Sequence, residues 1–161
     1  MRVRALVPLC ITVFCSICYS ETACLTTAPP TPPFTPSAPY DSIAVPDGSF
    51  WYGTSTLWTQ LGLDATWHMK DNADKSGGYA ATLVLWAPRY DWRKRVHRDL
   101  FLTARRIDAD APFVAETGAK PAFIRGKPAI ITGIRIPTGG CWEVGARYGK
   151  SKIAFLVTVQ P

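Results

Sequence analysis

Chemistry in this chain has few parts to draw on. A hydrolytic site needs a nucleophile, a base within hydrogen-bond reach and a group that orients the base. The sequence holds two histidines, His68 and His97, and no Gly-x-Ser-x-Gly turn. Either could in principle serve Ser55 or Ser76, but no spacing joins them. His68, between Trp67 and Met69, reads as a partly buried edge residue, and His97 lies in a basic cluster that disfavours its charged form. Zinc needs three or four clustered ligands, which Cys141 and two separated histidines do not supply. Asp71 with Asp74, or Asp108 with Asp110, could hold calcium weakly. The helix-loop-helix calcium pattern fails, however, because Ala73 and Lys75 stand where oxygen ligands are needed. These acids read first as turn carboxylates. With no phosphate-cradling or dinucleotide loop, no cofactor is expected and the chain reads as a non-enzyme. Cys141 has no adjacent histidine to lower its pKa, so it reads as a packing or disulfide residue.

The strongest interaction candidate is the stretch Arg89–Arg98. Arg89, Arg93, Lys94, Arg95 and Arg98 stand there against Asp91, interleaved with Tyr90 and Trp92. Cations meet phosphates and carboxylates, while exposed aromatic rings stack on sugars or enter lipid headgroup layers. The competing reading is a solvated strand connection with Trp92 tucked into the core.

The elements that must position these residues begin with an address. Arg2 and Arg4 precede an apolar run from Ala5 to about Ile17, the arrangement of an export signal. The run is shorter than the roughly 20 residues of a membrane-spanning helix. Cleavage after Ser20 is one outcome. Lipidation of Cys24 is the other and is placed slightly ahead, although Glu21 stands where a lipobox prefers an aliphatic residue. The first outcome leaves Cys24 and Cys141 free to pair in an oxidising compartment; the second anchors the chain to a membrane and leaves Cys141 without a partner. Residues 1–23 are thus read as a signal. Residues 24–47, rich in Pro and Thr, are read as an extended polyproline-II tether.

Of the 161 residues, 47% are hydrophobic and 12% aromatic, and the formal charge is +6. Such a composition excludes a wholly disordered chain. Gly48 to Pro161 is long enough for one sandwich of about 100 residues. Short β-branched or aromatic runs predict strands at Ser49–Gly53, Thr56–Leu61, Tyr79–Ala87, Asp99–Asp108, Phe113–Glu116, Ala129–Ile136, Cys141–Tyr148 and Lys152–Val159. Prolines are placed at their ends, Asp71–Gly78 reads as a loop, and no helical period competes. The last two strands form a hairpin around Gly149. Trp142, Val144, Ala146 and Tyr148 share its apolar face, which a second sheet must cover. The predicted class is an all-β, immunoglobulin-like antiparallel sandwich. Trp142 would take the aromatic corner position, and Val144 the core position usually held by Cys.

Phe50-Trp51-Tyr52-Gly53 with Leu57-Trp58, Arg105-Arg106-Ile107-Asp108, and Pro137-Thr138-Gly139-Gly140-Cys141-Trp142-Glu143-Val144 with Arg147-Tyr148-Gly149 go together. Jointly they resemble a family of small bacterial exported proteins and lipoproteins whose immunoglobulin-like domain ends in such a hairpin. Gly139 replaces that family's usual Pro. The resemblance covers most of Ser49 to Val159 and implies export and a sandwich, with no reaction. Two functions are carried forward. One is an envelope module that binds an anionic polymer, lipid headgroups or a protein, nucleic acid not being expected at that address. The other is a small secreted hydrolase, or an inhibitor of one, with a polar pocket around His68 or His97.

Overall fold

The computed structural model describes residues 24–68, 78–93, 100–117 and 119–160. Among the described residues there are ten strands: β1 (Ser49–Thr54), β2 (Leu57–Gly62), β3 (Thr66–His68), β4 (Tyr79–Trp86), β5 (Leu100–Arg106), β6 (Val114–Thr117), β7 (Lys120–Ile124), β8 (Lys127–Ile136), β9 (Gly140–Tyr148) and β10 (Ser151–Gln160). They form two five-stranded sheets, ordered β1-β2-β4-β8-β7 and β3-β10-β9-β5-β6. All pairings are antiparallel except that of β3, which runs parallel to β10. β2 and β3 are consecutive in sequence yet join different sheets. This switch between the two sheets, with β9 between β10 and β5, is the pattern of an immunoglobulin-like sandwich.

Alternation along the strands builds the core. Leu57 and Leu61 of β2, Leu83 and Leu85 of β4, and Ile130, Ile134 and Ile136 of β8 meet Leu102, Val144, Phe155 and Val157 of the facing sheet. Trp142 is fully buried, and its indole N–H donates to the carbonyl of Thr138 at 3.0 Å. This is the corner bond that an aromatic residue makes at the start of this strand. Val144 fills the core place two residues on, so no disulfide links the sheets there.

Two strands escape the sequence reading. β3 is three residues long, too short for an alternation to show. β7 contains Pro121, which the sequence places at a segment end; it is tolerated because β7 is an edge strand. The predicted loop at Asp71–Gly78 lies outside the described residues except for Gly78.

The segment 24–47 is not the free-standing tether its composition suggests. Trp58 and Trp86 point away from the inter-sheet core, toward the outer face of the first sheet, and Trp51 joins them. Tyr40 and Ile43 cover these indoles and are themselves buried, with Phe34 and Val45 beside them. Tyr40 meets Trp58 edge-on at 5.2 Å, and Trp51 meets Trp86 at 5.0 Å. Desolvation outweighs the extended preference of the prolines, so the segment lies across the sandwich as a strap.

Its start is fixed covalently. Cys24 and Cys141 form a disulfide with Cα atoms 5.4 Å apart. A sulfur held in a disulfide cannot also carry a thioether-linked lipid, so the structure takes the pairing alternative over lipidation of Cys24. Three residues on, Thr27 bonds Leu156 of β10 through both its hydroxyl and its N–H. The Tyr52 hydroxyl donates to the carbonyl of Ala154 at 2.8 Å. These contacts occupy β10 backbone groups ahead of the part paired with β3, where the sheet edge would otherwise be open.

Candidate basic cleft at one end of the sandwich

Four connections gather at one end of the molecule. The β1–β2 turn, the β4–β5 connection, the β7–β8 hairpin and the β9–β10 hairpin meet there because Trp58 pairs with Trp86, Leu85 with Ile130, Ile124 with Lys127 and Tyr148 with Ser151. The sequence gives each hairpin a glycine at positive φ, Gly126 and Gly149, flanked by basic residues. Arg125 and Lys127 border the first; Arg147, Lys150 and Lys152 border the second. Arg89 and Arg93 come from the β4–β5 connection. Seven cations therefore stand at this end among the described residues. The carboxylate of Asp91 is turned inward on its own loop, accepting the Arg93 amide at 3.0 Å. Asp108 and Asp110 lie at the opposite end, in the β5–β6 connection.

Between the β1–β2 turn and the β9–β10 hairpin is an open cleft of about 920 Å³. Arg89, Lys150 and Lys152 border it, with the hydroxyl-bearing Thr54, Ser55 and Thr56 opposite. The turn that presents those hydroxyls depends on Gly53. At φ +143°, a Cβ there would sit 2.5 Å from the Leu57 carbonyl oxygen, so only glycine allows the strands to approach. Thr54 then closes the turn by accepting the Leu57 amide at 3.2 Å. Among the described residues, neither a histidine nor a carboxylate lines the cleft. Three cations beside hydroxyl donors can hold a phosphate, sulfate or carboxylate by charge-assisted hydrogen bonds.

The structure divides the basic stretch. Arg89 borders the cleft and is exposed. Tyr90, expected in sequence as a binding residue, is instead a core residue, 5% exposed and edge-on to Tyr148 at 6.1 Å. Its hydroxyl finds no hydrogen-bond partner among the described residues. Its pKa is pushed up mainly by burial, with the Tyr148 and Asp91 charges adding to the effect. Trp92 points outward with Arg93 stacked on its ring at 4.5 Å, so the reading that tucks it into the core does not hold. Lys94, Arg95 and Arg98, with His97, lie outside the described residues.

The other candidates separate from the cleft. His68 is exposed and pairs with Gln160, nine residues along β10 from Ser151. At about 3.3 Å per residue it stands roughly 30 Å from the cleft. The Asp108 carboxylate accepts from Arg106 at 2.6 Å and from the Cys141 amide at 3.0 Å. It thus fills the turn role. Its pKa is lowered chiefly by the Arg106 bond, helped by the Cys141 amide and opposed by burial. Among the described residues no group of three or more His, Cys, Asp or Glu is placed to hold a metal.

Sequence reasoning missed Arg125, Lys127, Arg147, Lys150 and Lys152 because they are scattered along the chain. The available signal was that basic residues flank both hairpin glycines. Comparison with protein-family models, with curated proteins and with solved structures found no match.

Proposed function

We propose that this is an exported, non-enzymatic binding module that engages an anionic partner at the cell envelope through the basic end of its sandwich. The observation that carries the reading is the convergence of four connections, distant in sequence, that brings seven cations of the described residues to one end, three of them bordering an open cleft. At the opposite end, by contrast, Arg105 and Arg106 are paired with Glu143 and Asp108, so charges of both signs mix there. The cleft lining supports binding rather than turnover. Its cations and hydroxyls can hold a ligand, and among the described residues no histidine or carboxylate lines it to act as a general base. The export part of the proposal rests on the signal-like pattern from Arg2 to Ile17 and on the disulfide, since such bonds persist in oxidising compartments.

The test is binding to a soluble acidic polymer such as polyglutamate at low and high salt. The protein is expected to bind at low salt and to release as salt screens the contact. The triple variant Arg89→Glu, Lys150→Glu, Lys152→Glu is expected to fold normally, because all three side chains are exposed, and to lose the binding. Retained binding by that variant would remove the cleft from the proposal.

A further inference from the structure

The basic end carries more than charge. Three large aromatic side chains are exposed there: Trp92 at 38%, Phe123 at 54% and Phe101 at 37%. Trp92 belongs to the β4–β5 connection, while Phe123 sits one residue before the end of β7 and opposite Pro128. The two rings meet edge-on at 5.0 Å. Arg93 stacks on Trp92 and Arg147 stacks on Phe101, at 4.5 and 4.3 Å from the ring centroids. A partner that is only a soluble acidic chain would need the cations alone. Keeping apolar rings in water at the same place is unfavourable unless something covers them. Aromatic rings paired with arginines suit the boundary between water and lipid, where the ring enters the headgroup layer and the guanidinium stays with the phosphates.

Resting on the proposed anion-binding reading, we infer that the partner is an anionic lipid surface. Trp92 and Phe123 enter the headgroup layer, and Arg93, Arg125 and the cleft cations Arg89, Lys150 and Lys152 engage lipid phosphates. The occupant follows from charge complementarity, because an anionic bilayer attracts clustered Lys and Arg. The rings then supply a contact that salt does not screen. Cys24 is bonded at the start of β9, whereas the basic end lies at the close of that strand.

The experiment compares the purified protein on vesicles of phosphatidylcholine alone, on vesicles containing phosphatidylglycerol, and on soluble polyglutamate. It is expected to co-sediment only with the anionic vesicles, with a blue shift of tryptophan emission that the Trp92→Phe variant loses while still binding. The double variant Trp92→Ser, Phe123→Ser alters exposed positions only. It is expected to bind anionic vesicles about tenfold more weakly or worse, and polyglutamate as the unaltered protein does. Equal vesicle binding by the double variant would overturn the inference. Binding to polyglutamate without binding to vesicles would overturn it too, while leaving the anion-binding proposal standing. Binding to neither would overturn both.

Discussion

At the scale of single residues, the end opposite the cleft is held by one carboxylate with two jobs. Asp108 accepts from the Arg106 guanidinium and from the backbone N–H of Cys141, the residue that anchors the strap. Its pKa is lowered in the folded protein, so it binds its proton less readily there than in the unfolded chain. The stability it contributes is fully present above the ordinary carboxylate range and is lost as pH falls through its folded value. Asp108→Asn is therefore expected to reduce stability at neutral pH and to flatten the loss that the unaltered protein suffers below about pH 4. Thermal unfolding at a series of pH values reads this directly, and parallel curves for the two proteins would count against it. The corner position of Trp142 was legible in sequence, because it stands two residues before a core valine; its indole bond to the Thr138 carbonyl came only from the structure. Tyr90 was not. Its neighbours in sequence are charged, and only the close packing against Tyr148 shows that its ring turns inward.

At the scale of elements, the strap is the feature that composition concealed. Prolines favour an extended, solvated backbone. The counter-signal was Phe34, Tyr40, Ile43 and Val45 spaced among them, together with three tryptophans on strands whose alternation sends them out of the core. Outward indoles need a cover, and these four residues provide it. Ile43→Ala is expected to cost about 2 kcal/mol or more in chemical denaturation, which a solvated tether would not show. The disulfide closes a sequence separation of 117 residues. Its removal by Cys24→Ser with Cys141→Ser is expected to cost about 2–5 kcal/mol. A difference in stability near zero would mean that the strap is held by packing alone. The hairpin β9–β10 was readable because its alternation is regular and its turn glycine is flanked by matched strands. β3 and β7 were not, one for its length and one for Pro121, whose place on an edge cannot be read without the sheet order.

At the scale of the whole molecule, the sandwich was legible and its polarity was not. Apolar alternation specifies which face of a strand is buried. It does not specify which connections share an end, and that follows only from strand pairing. Once paired, the strands bring Arg89 and Arg93 together with cations from two distant hairpins, while the hydroxyls of Thr54, Ser55 and Thr56 face them across the cleft. A basic stretch in one connection thereby becomes part of a basic end. This end, and no other surface, is expected to receive the anionic partner. The most direct measurement is a residue-by-residue record of amide chemical shifts while polyglutamate is titrated into the isotope-labelled protein at low salt. Shifts are expected at Ser55–Thr56, Arg89–Arg93, Arg125–Lys127 and Gly149–Lys152, reversed by added salt, with the amides around Asp108 and His68 unchanged. Shifts concentrated on the strap or at the Asp108 end, or none anywhere, would contradict it.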